Sequence, residues 1–167
     1  DILLKALGIV KADFRIDNFM MHFVGNGADE EKLKMMTREL GIESNVVFEG
    51  LKDQMWVYSN LCNFDLFIQP SRFEGFGLTV AEAIAAKVPV LVSNIEGPLE
   101  IIDGGRLGMT FENENSLDCA EKIMAFMHDG RNENQVEAAY EYVKDNYDVS
   151  LTAQKYIEVY KSVLADE

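Results

Sequence analysis

Glu74 and Glu82 stand eight positions apart on either side of Gly75-Phe76-Gly77-Leu78, in a segment running from Pro70 to Ala83. The segment follows a short apolar run and opens a helical one, and ligands of open α/β sheets bind at such strand-to-helix crossings. Gly75 and Gly77 let the backbone come close to a ligand, while a helix beginning near Leu78 turns unpaired N–H groups and a positive dipole end towards an anion. A diphosphate suits that end. The two carboxylates accept hydrogen bonds from hydroxyls, which sugars and riboses offer. On spacing alone, the same residues also read as a plain turn with Glu82 adding favourable charge near a helix start.

Positioning such a crossing takes an alternation of strands and helices, and the chain has one. Five short apolar runs read as strands: Phe19 to Val24, Asn45 to Glu49, Leu66 to Gln69, Val90 to Ser93 and Gly108 to Phe111. Each is too apolar to leave a whole face in water, so a parallel sheet with helices on both faces is expected. Helices are expected at Ile2 to Val10, between Asp29 and a stop at Gly41, at Met55 to Leu61 behind Asp53, and at Thr79 to Ala86 before Pro89. Another runs from a Ser116 cap through Met127, with Leu117, Ala120, Ile123, Met124 and Met127 as its core stripe. Two more close the chain, Asn134 to Asp145 and Leu151 to Leu164, the last with Ser150 as N-cap. The opening helix has no strand before it, whereas a parallel α/β unit normally begins with one. A first strand, central in the sheet, is therefore expected to be missing upstream.

At 167 residues the chain suits a single domain, 1–167, and its 48% hydrophobic and 26% charged content excludes a disordered or low-complexity class. A net charge of −14 repels nucleic-acid phosphates and anionic membranes, so no nucleic-acid partner is expected. Cys62 and Cys119 lack the spacing of a disulfide framework or a zinc site, which points to a reducing, cytoplasmic setting. His22 and His128 have no sequence partner that would make them bases or ligands, and read as a packed strand residue and a solvated helix end. Trp56, Tyr58 and the methionines, Met35, Met36, Met124 and Met127 among them, read as core filling. Arg72 is expected to be solvated or paired with a carboxylate rather than to serve a phosphate.

The segment around Glu74 and Glu82 resembles the glutamate motif of the retaining, GT-B-fold glycosyltransferases of group 1, in which two glutamates with this separation bracket a Gly-Phe-Gly-Leu turn. The resemblance continues in order through Phe23-Val24-Gly25-Asn26-Gly27, Asn45 to Gly50, Asp65 to Ser71, Ala85 to Ser93 and Gly97 to Ile102. It reaches the tail, where residues 147–164 look like the family's closing helix. As a dinucleotide fingerprint, Gly25 and Gly27 fail, because Glu30 stands where a third glycine is needed.

The resemblance implies the C-terminal, donor-binding half of a two-domain enzyme that moves a hexosyl group, with retention, to a glycan or lipid-linked glycan. Glu74 would be the catalytic-site residue touching the transferred sugar, though not an assigned nucleophile, and Glu82 would bind the ribose. Backbone groups of Gly75, Phe76, Gly77 and Leu78 would meet the diphosphate or sugar, and those of Gly50 and Leu51 the nucleobase, with Gly25 close by. The donor would be a UDP- or GDP-hexose, with no metal or other cofactor. The family's Arg and Lys, which lie just upstream of the first helix, and its N-terminal acceptor domain are not in this sequence, so the domain alone is expected to be inactive. The whole protein is expected in the cytoplasm, touching the membrane peripherally through the absent domain. Two other readings remain: a GT-B-fold sugar-nucleotide epimerase, and a non-catalytic module that binds a nucleotide or a protein.

Overall fold

The computed structural model describes residues 1–165. All five expected strands form: β1 (Met21–Val24), β2 (Val46–Gly50), β3 (Phe67–Gln69), β4 (Val90–Ser93) and β5 (Met109–Phe111). β1 and β2 begin later than their apolar runs, and the buried amide of Asn45 bridges their lead-in segments. Its Nδ2 donates to the carbonyls of Asp17 and Phe19, at 3.0 and 3.1 Å, while Lys11 Nζ donates to its Oδ1 at 2.8 Å.

Every pairing is parallel, and the hydrogen bonds fall into two sheets, β1 with β2 and β3 with β4 with β5. The break between β1 and β3 lies where a doubly wound order places the strand that feeds the first helix. That helix, α1 (Ile2–Ala12), lies across both sheets, its Leu4, Leu7 and Val10 packing in one cluster with Met21 and Phe23, Ile68 and Leu91.

Helices cover both faces. β4 shows why: Leu91 points into the cluster of α1 and α6 (Ser116–Asp129), while Val90 and Val92 point into that of α4 (Leu78–Ala85) and α7 (Glu133–Tyr147). Strand residues alternate faces, so a strand buried on both must be apolar throughout. α2 (Glu30–Glu39) and α3 (Gln54–Asn60) follow β1 and β2, and α8 (Val149–Ala165) closes the described chain against α7.

Several sequence expectations need correction. Asn115, not Ser116, caps α6, its Oδ1 accepting from the N–H of Leu117 and Asp118. Asp148, not Ser150, accepts at the start of α8, from the Ser150 N–H at 2.8 Å. Where two capping residues lie close together, the one in extended backbone wins, and composition does not say which that is. The core stripe of α6 is Cys119, Ala120 and Ile123 with Met124 packed against them, whereas Leu117 and Met127 are exposed. Met35 and Tyr58 are exposed as well, and Trp56 is only half-buried beneath Lys52, whose Nζ stands 5.0 Å from its ring centroid. A further helix, α5 (Glu96–Ile101), lies in the Gly97-Pro98 stretch, which carries no strong helix signal.

Candidate functional site

The exit of β3 is fixed before the turn begins. Ser93, fully buried at the end of β4, donates its hydroxyl to the Ser71 carbonyl at 2.6 Å. Residues 72–76 then loop outward and Gly77 starts α4 with φ +94°, a left-handed conformation open to glycine at little cost. The Gly77 carbonyl accepts from the N–H of Val80 at 2.9 Å and of Ala81 at 3.3 Å, and no side chain caps the helix. Among the described residues, nothing accepts the N–H groups of Leu78 and Thr79. They form an uncapped positive helix end.

Two contacts hold the turn down. The Phe76 ring packs edge-on against Tyr147 at 5.5 Å, where burial pushes the Tyr147 phenol up to about 12. On the other side the backbone of α5 lies so close that a Cβ on Gly97 would stand 2.8 Å from the Glu74 carbonyl oxygen and 2.9 Å from the Phe76 nitrogen. Gly75, in contrast, faces open space.

Glu74 is exposed on this loop, and its Oε2 accepts from Gln69 Nε2 at 3.0 Å. Glu82 is half-buried on α4, and among the described residues its carboxylate has neither a hydrogen-bond partner nor an ion pair. Beside Glu74 lies a hollow of about 640 Å³, formed where the chain leaves β3, β4 and β5 and lined by Arg72, Phe73, Ile95, Glu96 and Asn113 among others. Phe73 is 93% exposed at its mouth. A second cavity, about 200 Å³ and mainly apolar, sits beyond Pro89 and Gly108 at the opposite strand ends, away from these groups.

Gly25 and Gly50 meet in a second cluster. The Gly25 N–H donates to the Gly50 carbonyl at 2.8 Å, and both residues have positive φ, +123° and +67°. Leu51 follows, 76% exposed, so the backbone here is accessible and bordered by apolar surface. Beneath it, His22 does have a partner, one that sits 27 positions away in sequence: its Nδ1 is 2.9 Å from Glu49 Oε1, and Lys52 Nζ is 3.2 Å from Glu49 Oε2.

Reading the sequence missed Gln69, Gly97 and the Thr79 amide. A Gln ending an otherwise apolar strand was the available signal for the first, since a buried amide needs partners. Arg72 is paired with carboxylates, as expected. Its guanidinium reaches Asp1 and Glu114 at 2.9 and 2.6 Å. Among the described residues no three His, Cys, Asp or Glu side chains gather as metal ligands, and no helix is long and apolar enough to cross a membrane.

A model of the family described as glycosyl transferases group 1 matches residues 1–144. The GtfA subunit of a UDP-N-acetylglucosamine–peptide N-acetylglucosaminyltransferase from Streptococcus gordonii is 26% identical over 165 residues, covering 94% of this chain and 32% of that protein. A glycosyltransferase from Rickettsia africae superposes with a TM-score of 0.86 at 27% identity, over 99% of this chain and 44% of the other. Anabaena HepE, solved with UDP, superposes at 0.84 with 22% identity, over 96% and 44%. The chain thus spans less than half the length of each.

Proposed function

This chain belongs to the group 1 glycosyl transferases, and we propose that it is the donor-binding domain of such an enzyme, which transfers a hexosyl group from a UDP- or GDP-sugar to a glycan or lipid-linked acceptor. The observation that carries this reading is the uncapped start of α4, with the unpaired N–H groups of Leu78 and Thr79 between two carboxylates, Glu74 and Glu82. In this reading the diphosphate lies on those N–H groups. Its charge, which grows as the glycosidic bond breaks, is stabilised there by dipoles already in place.

The Glu82 carboxylate, without a partner among the described residues, accepts from the ribose hydroxyls, and Glu74 accepts from a hydroxyl of the transferred hexose. The backbone at Gly50 and Leu51, tied to Gly25, meets the base. That HepE, which shares this fold, was solved in complex with UDP supports a nucleotide of this class. Transfer proceeds with retention, and it needs the acceptor-binding part of the enzyme and cationic groups beyond those of this domain, which is inactive alone. The protein works in the cytoplasm, at the membrane surface where the acceptor is lipid-linked.

Calorimetric titration of UDP, GDP and their hexose conjugates into the intact protein tests this. One of the two nucleotides is expected to bind, and Glu82→Ala to weaken it by about tenfold or more, as for a lost charge-assisted hydrogen bond. Absence of binding by a folded protein would overturn the proposal and favour a non-catalytic module.

A further inference from the structure

Gln69 is the last residue of β3 and a buried amide, 8% exposed. Its Nε2 donates to Glu74 Oε2 at 3.0 Å and to Ser71 Oγ at 3.3 Å, and its Oε1 accepts from Thr79 Oγ1 at 3.0 Å. A carboxylate only accepts, so the nitrogen end of the amide has to face Glu74, and the oxygen end then has to face Thr79. The orientation of the amide is therefore settled by chemistry. One hydrogen-bonded chain runs from the first turn of α4 through the floor of the site to the Glu74 carboxylate.

Glu74 sits on an exposed loop, and among the described residues Gln69 is the sole hydrogen-bond partner of its side chain. Of its two carboxylate oxygens one is held and one is open. Thr79 belongs to the same turn that presents the unpaired N–H groups, so the chain ties the position of the carboxylate to that of the helix end.

We infer that Gln69 is a positioning residue for Glu74, holding the carboxylate so that its open oxygen meets a hydroxyl of the transferred hexose in register with the diphosphate on α4. The inference rests on the reading of Glu74 as the hexose contact. Gln69 itself touches no substrate. Its effect therefore falls on the hexose part of the donor, whereas loss of a merely structural amide would disturb the nucleotide equally.

The test is calorimetry on the intact protein with UDP against UDP-glucose, and with GDP against GDP-mannose, using whichever pair binds. Gln69→Met keeps volume and removes the hydrogen bonds. It is expected to weaken the sugar conjugate about fivefold or more while leaving the free nucleotide within about twofold. In a Glu74→Ala background the same change is expected to have no further effect on the conjugate, because there is no carboxylate left to hold. Thr79→Val, which keeps the Thr79 N–H but frees the amide oxygen, is expected to give a smaller loss in the same direction and guards against a folding failure of the first variant. Equal weakening of conjugate and nucleotide by Gln69→Met, or an unchanged effect in the Glu74→Ala background, would overturn the inference. If Glu74→Ala alone weakens nucleotide and conjugate alike, the reading of Glu74 falls. If it selectively weakens the conjugate and Gln69→Met does not, only the positioning role falls.

Discussion

Arg72 Nη2 donates to both carboxylate oxygens of Asp1, at 3.0 and 2.9 Å, while its Nε donates to Glu114 Oε1 at 2.6 Å. Arg72 lies two positions before Glu74 and is the cation that sequence proximity would offer to a diphosphate. Two carboxylates already neutralise it, and its side chain is bound at the first turn of α1 and the loop after β5. Arg72→Ala is therefore expected to leave nucleotide affinity within about twofold, since a guanidinium satisfied elsewhere has little field to give. The cost should appear in stability instead, as about 1 kcal/mol or less per partly exposed pair, or roughly 2–4 °C in melting temperature. A tenfold loss of affinity with an unchanged melting temperature would show that Arg72 leaves these partners for the ligand.

The three glycines around the turn should separate in mutagenesis. At Gly77, φ of +94° makes Gly77→Ala strained by roughly 1–2 kcal/mol, and the strain falls where the unpaired N–H groups are aimed, so stability and ligand affinity drop together. Gly97→Ala would put a methyl against the Glu74 and Phe76 backbone and push the turn outward, with the same double effect. Gly75 faces open space without positive φ, so Gly75→Ala is expected to change stability by less than about 0.5 kcal/mol while its methyl intrudes on the ligand. Paired thermal melts and nucleotide-sugar titrations on the three variants check this. An unaltered affinity in Gly75→Ala would mean that the ligand does not pass over this residue.

What the sequence made legible was whatever depends on periodicity or on one motif. Among the described residues, all five strands and seven of the eight helices can be read, because a strand such as Val90–Ser93, buried on both faces, has little choice of composition. The Glu74 to Glu82 spacing was equally plain. Illegible were the features decided by distant partners: Glu49 for His22, Asp1 and Glu114 for Arg72, and Asp17 and Phe19 for Asn45. α5 escaped because Gly97 and Pro98 argue locally against a helix, and only the tight fit of Gly97 beneath Glu74 and Phe76 makes glycine suitable there. Gln69 escaped for a related reason, since its three partners are set by the turn and not by the strand.

The two cysteines should differ sharply in reactivity. Cys62 is exposed, while Cys119 is buried in α6 and burial pushes its thiol up to about 12. Thiolate is the reacting form, so alkylation of the native protein at pH 8, read by peptide mass mapping, is expected to label Cys62 and spare Cys119 until denaturant is added. The sign of the linkage follows from the raised value. This group's contribution to stability is complete below the ordinary thiol value of 9.0 and is lost as pH rises from there towards 12. Rapid native-state labelling of Cys119 would mean that α6 opens locally, against its packing on α1.

Glu49 offers the corresponding test on the acid side, next to the backbone proposed to meet the base. The hydrogen bond from His22, then that from Lys52, holds its carboxyl below the usual value of 4.5. A depressed carboxylate stabilises the fold fully above its unfolded value, and that contribution is lost as pH falls through the lowered one. Because the chain carries a net charge of −14, acidification also relieves general repulsion, so the absolute melting curve mixes two opposing effects. The difference between wild type and Glu49→Gln isolates the local one. It is expected to be constant between pH 6 and about 5 and to shrink as pH falls below about 4.5, as the wild-type carboxyl takes up its proton. A difference that stays constant down to the point of acid unfolding would show that the pair with His22 and Lys52 does not hold Glu49 ionised. Nucleotide affinity of the same variant, measured at neutral pH, then reports whether the β2 exit at Gly50 needs that carboxylate to keep its shape.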